Sequence, residues 1–427
     1  SAFHYPDALT SRLEHLLVDT DGAFRSGFKD AITPCSNYVS GSQNFGRQTS
    51  AQWLRVAFHD FVTAHVDEGT GGMDSSISME TLRAEDSGSA FNDTFAWFVP
   101  FIDARTSAAD LLATSIVLSL GNCGGLHVPL RGGRIDAHEP GPFGVPEPES
   151  DLEETLEFFA NAGFNAQDAI GLTACGHSLG RIHHGGFPQV VPESAVSPNN
   201  TAGGINLDTT PTKFDVNVVT EYLEWKGQRG GPLVTSDNVT VRSDLRLYES
   251  DGNATMKALG QSEEYFARAC KRLFERMINT VPKEVGLSEV VEPAVVKPVN
   301  VSFDIANNGK VVLRGAIRLL MPTAESAPEK IEVSLSSNAK TTPSTVSALP
   351  ETGYSVFGNT TFYPFDLTLP LTEQSPPNTA VLMVKPQSSS IPEAKFTLNP
   401  TLFFVPSFST LDGNTLNIAV ALLSSST

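Results

Sequence analysis

The chain has 427 residues, 48 of them acidic and 29 basic, for a formal net charge of −19. Such acidity argues against a nucleic-acid binder, which needs a basic face to displace phosphate counterions. A hydrophobic content of 40% with 18% charged residues is that of a packed globular protein, no apolar run approaches the roughly 18–20 residues of a membrane-spanning helix, and the length fits two or three domains of ~150 residues each.

In chain order, residues 50–65 place Trp53, Val56, Ala57 and Phe58 at helical spacing. Residues 107–120 read as a second helix, with Ser, Ala and Asp at its start and Gly121 after its end, as helix caps prefer. Segments 151–161 and 166–179 follow, the latter opened by Asn165. Residues 260–280 form a long amphipathic pattern with Phe266, Cys270, Leu273 and Met277 on one stripe.

Composition changes near residue 290. Residues 1–289 hold all four Cys, all nine His and all three Trp, and carry −17 of the −19 charge. Beyond them, short alternating runs rich in Val, Thr, Leu and Phe are broken by Pro, Gly, Asn and Ser, the pattern of a small antiparallel sandwich. The stretch 324–350 is rich in Ser, Thr, Pro and Ala and is expected to be a surface loop region. The expected architecture is a mainly α domain over 1–289 and a small all-β domain over 290–427.

Six Asn-x-Ser/Thr sequons, at Asn92, Asn199, Asn238, Asn253, Asn300 and Asn359, suit a glycoprotein. The chain begins Ser-Ala-Phe-His, which reads as a processed, secreted protein. That compartment permits two disulfides. Cys35, Cys123, Cys175 and Cys270 allow three pairings, which spacing alone does not decide.

Three constellations carry chemistry. Arg55 and His59 stand four apart, on one helical face. An imidazole that moves a proton beside a guanidinium that steadies negative charge suits cleavage of a peroxide O–O bond. His177 ends an apolar helix between the small residues Ala174, Gly176 and Gly180, which would let a flat macrocycle approach. Oxygen donors form two sets: Asp60, Gly72, Asp74 and Ser76, then Ser178, Asp208, Thr210 and Asp215, with Lys213 counted in the second. A hard cation such as calcium takes six to eight such oxygens. Taken singly, the helical pair reads as a surface pair, the lone histidine as core, and the Asp/Ser/Gly clusters as turns.

As an ordered series these segments resemble the plant, fungal and bacterial haem peroxidase superfamily, and most of all its secreted fungal branch. The resemblance runs over roughly residues 10–285. It is carried by Arg55, Phe58, His59 and Asp60, then by Gly72, Asp74 and Ser76. Glu85, Asn92, the Cys123 segment and Pro146 follow, and His177, Ser178, Asp208 to Asp215 and Asp244 complete it. It implies haem b and two calcium ions. His177 would be the iron's axial ligand, and Asp244 would accept a hydrogen bond from its other ring nitrogen. His59 would be the distal base, Arg55 its electrostatic partner, and Asn92 the residue orienting His59. Glu85 would belong to the distal hydrogen-bond chain, Phe58 would lie over the haem, and Pro146 would border the access channel. Hydrogen peroxide would generate a ferryl iron and porphyrin radical, reduced by small phenolic or dye-like donors. The resemblance pairs Cys35 with Cys123 and leaves Cys175 and Cys270 as a second bridge or as buried thiols. A distal Asn92 must be buried, so its sequon is expected to carry no glycan.

Departures from the family pattern narrow the donor. Manganese-oxidising members carry two Glu before the distal Arg and an Asp after the proximal motif; here Gln48, Gln52 and His183 stand there. Amides and an imidazole supply no anionic site for Mn(II). Leu172 occupies the place of the surface tryptophan of lignin-type members, and Leu207 that of a proximal Phe. Trp225 is expected to pack partly buried. The adjacent His183 and His184 are expected to point apart rather than to share a metal. The expected protein is a secreted monomer, binding neither nucleic acid nor membrane. Its β domain reads as a stabilising appendage, with polysaccharide contact as the rival role. The rival for the whole chain is a non-catalytic binding glycoprotein on a decayed peroxidase scaffold. A zinc hydrolase lacks any His-Glu-x-x-His spacing.

Overall fold

The computed structural model describes residues 7–39, 46–337, 340–371, 379–386 and 391–423. The chain forms two compact units. One consists of Ala8–Leu16 and Phe28–Val291; the other combines Leu17–Gly27 with the chain from Glu292 onward.

The helices are α1 (Ala8–Val18), α2 (Thr49–Val62), α3 (Ala90–Phe98), α4 (Ala108–Gly124), α5 (Leu152–Asn161) and α6 (Ala166–Gly176). There follow α7 (Asn217–Glu224), α8 (Pro232–Thr235), α9 (Ser243–Glu249), α10 (Ala254–Leu259) and α11 (Glu263–Asn279). Their starts are set by side-chain caps that satisfy otherwise orphaned N–H groups. Ser107 accepts from Asp110 N, Asp151 from Glu154 N, Asn165 from Asp168 N, and Ser262 from Tyr265 N. α4 is buried along nearly its whole length, as a helix apolar all round must be, and α2 packs on it. It runs on through Gly121, where composition suggested a stop, and ends only at the left-handed Gly125 (φ 69°). α6 packs on α11. A Cβ at Gly171 would lie 2.8 Å from Leu273 Cδ1, so glycine permits that approach. The disulfide Cys175–Cys270 joins the two helices, and Cys35–Cys123 ties the segment before α2 to α4. Strands β1 (Arg181–His183) and β2 (Gly204–Asn206) pair antiparallel just after α6.

The other unit contains β3 (Val296–Ile305), β4 (Val311–Met321), β5 (Lys330–Ser337), β6 (Lys340–Ser347), β7 (Gly353–Ser355), β8 (Gly358–Thr368), β9 (Ala380–Pro386) and β10 (Ala394–Leu398). They form two antiparallel sheets, ordered β3-β4-β8-β7 and β10-β9-β5-β6. One apolar core takes Leu313, Ile317, Tyr363 and Leu367 from the first sheet and Val333, Leu335, Leu382 and Val384 from the second. Alternation, such as the pattern of β8 from Tyr363 onward, supplies the buried face. The Ser/Thr/Pro stretch expected to be a loop contributes β5 and β6 instead. β6 lies at the sheet edge, where its Thr and Ser face solvent and Pro343 is tolerated.

Residues 17–27, which composition assigned to the helical part, belong to the β unit. Asp19 pairs with Arg318 at 3.1 Å, both side chains fully buried. Thr20 Oγ1 donates to the Tyr354 carbonyl, and Phe24 packs on Phe362 with centroids 5.0 Å apart.

Candidate active site

α2 delivers Arg55, Phe58 and His59 to one cavity, and the end of α6 delivers His177 to the same cavity. His177 is the residue after the last helical turn, and its N–H still donates to the Thr173 carbonyl. Its side chain is 30% accessible because it faces this cavity. Pro146, Leu172 and Leu207 also line it. Leu172 is buried, so the position carries no surface side chain.

Each imidazole is held by a carboxylate. His177 Nδ1 donates to Asp244 Oδ2 at 2.6 Å, and Tyr248 Oη donates to the same oxygen at 3.3 Å. His59 Nδ1 donates to Asp86 Oδ1 at 2.8 Å. Among the described residues, Nε2 of each ring has no protein partner. Burial alone would depress the His177 imidazole, but the Asp244 charge and hydrogen bond outweigh it and leave the pKa raised. At His59 burial wins: desolvation, with the Arg55 charge adding, pushes the pKa down to about 4 against the opposing pull of Asp86. His59 is therefore a neutral base at neutral pH. Arg55 Nη1 donates to the Ser87 carbonyl at 2.8 Å, and its guanidinium lies 4.9 Å from the Phe91 ring centroid. Burial lowers its pKa to about 10, so it stays charged.

Two distal expectations are corrected. Asn92 lies on the exposed face of α3, so it does not orient His59, and the argument against a glycan there falls away. Asp86, in the turn before α3, takes that place. The Glu85 carboxylate accepts the Gly144 N–H at 3.0 Å and faces Arg83 at 3.6 Å. It braces the cavity lip beside Pro146, and among the described residues no hydrogen bond links it to His59. Nothing in the sequence distinguishes Asp86 from its acidic neighbours Glu85 and Asp93; only the path of the turn selects it.

The first oxygen set converges. Asp60, fully buried, accepts from Ser75 N at 2.9 Å and Ile77 N at 3.2 Å, while Asp74 accepts from Ser76 N at 3.0 Å. Burial, then the Asp74 charge, holds the Asp60 carboxyl well above its usual range. Gly72 takes φ 98°, and a Cβ there would strike the Thr280 carbonyl at 2.5 Å. In the second set Asp208, Thr210 and Asp215 come together: Thr210 N donates to Asp208 Oδ1 at 2.8 Å and Thr210 Oγ1 to Asp215 Oδ1 at 3.0 Å, while Asp208 Oδ2 is buried without a partner among the described residues. Ser178 is fully buried, and its hydroxyl donates to the Cys175 carbonyl rather than to these residues. Burial, with the Asp215 and Glu221 charges adding, pushes Asp208 up to about 7. Buried, mutually repelling carboxylates of this kind fit a bound cation. Lys213 is a partial exception: its ammonium pairs with Asp215 Oδ2 at 3.1 Å, so only its main-chain carbonyl is suited to a cation.

Gln48 Nε2 donates to the Pro211 carbonyl, and Gln52 and His183 line the cavity with it. His183 bonds to the Gly46 carbonyl and His184 to the Val191 carbonyl, so the two rings diverge. Trp225 is exposed rather than packed: it ends α7 in a left-handed conformation, with 54% of its surface accessible.

The sequence profile of the peroxidase family matches residues 36–262, more than half of the chain, and the chain belongs to that family. It is 37% identical over 318 residues to a WSC domain-containing protein of Arthroderma benhamiae, covering 73% of this chain and 42% of that one. It is 30% identical over 185 residues to cytosolic L-ascorbate peroxidase 2 of Arabidopsis thaliana (42% of this chain, 66% of the relative). Manganese peroxidase 2 of Phlebia radiata is 26% identical over 252 residues (52% and 60%). The chain thus spans between about two fifths and two thirds of the length of these relatives.

Proposed function

We propose that the chain is a secreted haem peroxidase that reduces hydrogen peroxide and oxidises small aromatic donors at the edge of the cavity. The observation that carries this reading is that two imidazoles, each fixed at Nδ1 by a carboxylate, line one cavity with a half-buried arginine. That complete set argues against a decayed scaffold. Two disulfides and the sequons support an extracellular setting.

His177 Nε2 would hold the haem iron, and the haem supplies the redox chemistry. Asp244, by drawing on the Nδ1 proton, makes His177 a more strongly donating ligand. Open space around Gly176, where a Cβ would meet nothing, suits a flat group beside His177. His59 is neutral and its Nε2 is free, so it would take a proton from one peroxide oxygen and return it to the departing one. Asp86 keeps the remaining proton on Nδ1 and the ring in place. Arg55, charged and half-enclosed, would stabilise the negative charge that develops as the O–O bond breaks. Over the cycle one hydrogen peroxide takes two electrons and two protons from two donor molecules, giving two waters and two donor radicals.

Asp60, Gly72, Asp74 and Ser76 would hold one calcium; Ser178, Asp208, Thr210, Asp215 and the Lys213 carbonyl would hold the other. The amides of Gln48 and Gln52 and the ring of His183 offer no anionic site for Mn(II), so manganese turnover should be poor. An absorption spectrum tests the reading. A Soret band that His177→Ala abolishes, with peroxide-dependent oxidation of a phenolic dye, is expected. Purified protein that takes up no haem on reconstitution would overturn it.

A further inference from the structure

Four of the six sequons place their asparagine on the surface: Asn92, Asn199, Asn238 and Asn300. The other two are tied into the fold. Asn253 Oδ1 accepts from the Tyr222 hydroxyl at 2.6 Å. Asn359 sits within β8, paired with Met321 on one side and Tyr354 on the other, and the Thr361 of its sequon is buried.

Asn238 opens the short turn Val239–Val241, between α8 and α9. Its Oδ1 accepts from Thr240 N at 3.1 Å and from Thr240 Oγ1 at 2.7 Å, an Asx turn that fixes the amide through its oxygen. Its Nδ2, the atom that would carry a sugar, has no partner among the described residues. All three residues of the sequon are exposed. Val239 leaves 65% of its surface accessible, an apolar area that the C–H face of a sugar can cover.

The turn is fastened to the lip of the cavity. Arg246 Nη1 donates to the Thr240 carbonyl at 3.1 Å, and its Nη2 donates to the Pro148 and Ser150 carbonyls at 2.7 Å each. One planar guanidinium therefore joins the sequon to residues 148–150 through charge-assisted bonds. Val145 to Pro148 line the cavity, as do Leu233 before the turn and Ser243, Asp244 and Leu247 after it. Glu147 and Glu149 are exposed on this lip.

We infer that Asn238 is a glycosylation site whose sugar covers the 147–150 lip and narrows the entry of bulky molecules to the cavity. The modification rests on the extracellular reading. The peroxidase reading bears only on which molecules enter.

The full-length chain, made through the secretory pathway of a eukaryotic host, is compared with Asn238→Gln and Thr240→Ala, which remove the sequon, and with Thr240→Ser, which keeps it. Residues 230–242 form one tryptic peptide in which Asn238 is the sole sequon. Mass spectrometry should find that peptide carrying a glycan that peptide-N-glycosidase releases, in the parent and in Thr240→Ser. Carbodiimide coupling of a bulky amine to Glu147 and Glu149 should rise several-fold in the two variants without the sequon. Guaiacol should be oxidised equally by all four proteins, while guaiacol tethered to polyethylene glycol should gain several-fold in kcat/KM once the glycan is lost. A bare Asn238 beside a glycan at another sequon would overturn the inference alone. A protein bare at all six would overturn it together with the extracellular setting. So would a glycosylated Asn238 with unchanged carboxyl labelling, or with tethered guaiacol oxidised no faster without the sugar, overturn the inference. The labelling needs no turnover and decides the matter where no donor is oxidised.

Discussion

Replacing Asp86 by Ala removes the acceptor of the 2.8 Å bond from His59 Nδ1. A hydrogen bond to a charged acceptor is worth about 1.5–3 kcal/mol. At 1.36 kcal/mol per decade, the reaction with peroxide should slow by roughly 10- to 150-fold if the whole bond serves the transition state. Two effects combine. The ring loses its fixed tautomer, and the imidazole, already lowered to about 4 chiefly by burial, loses the group that opposes that shift. Asp86→Asn keeps an acceptor without the charge, so its loss should be smaller, about tenfold or less. Asn92→Ala, on the exposed face of α3, should react like the parent. Stopped-flow absorbance at the Soret band after mixing with peroxide at neutral pH measures all three, with haem content checked beforehand. An Asp86→Ala protein that reacts at the parent rate, or an Asn92→Ala protein that loses as much, would refute the assignment of Asp86.

The pH profile of the peroxide step should be flat near neutrality and fall about tenfold per unit below about pH 4, where His59 takes a proton and ceases to be a base; a fall centred near 6.5 would contradict the burial argument. Asp208 has a raised pKa of about 7 in the cation-free protein, so its ionisation penalises the fold increasingly as pH rises from its unfolded value near 4 through 7. Chelation of calcium should therefore lower the melting temperature more at pH 8 than at pH 5, as differential scanning calorimetry would show. Converting Cys175 and Cys270 to Ala opens a loop closed over 95 residues and should cost about 2–5 kcal/mol in denaturant unfolding of the helical unit. Asp19→Ala leaves Arg318 buried without its carboxylate and should cost about 3–5 kcal/mol, read as earlier unfolding of the β unit with the Soret band intact.

Periodic segments were the most legible. Three of the five helical stretches open on residues whose side chains do cap them, and the last, 260–280, is capped two residues in, at Ser262, because capping is a local hydrogen bond between neighbours in sequence. The β5–β6 hairpin escaped for the opposite reason. Its Thr and Ser face solvent at a sheet edge, so its composition matched a loop. At the site, His59, Arg55, His177 and Asp244 could be named because they sit in fixed order on recognisable segments, and the structure brings them to one cavity. Asp86 could not be named. It is singled out by what faces it across space, and a single Asp among several carries no local mark.

The sequence alone determined that the chain is helical first and β-rich after about residue 290, that it resembles the peroxidases, and which two histidines face the cavity. Hydrophobic period, caps and motif order are properties of consecutive residues, so they survive in one dimension. Tertiary structure decided that residues 17–27 complete the β unit through a buried Asp19–Arg318 pair. It also decided that a carboxylate rather than an amide holds His59. Those depend on desolvation and on pairing between residues distant in sequence, and neither exists until the chain has folded.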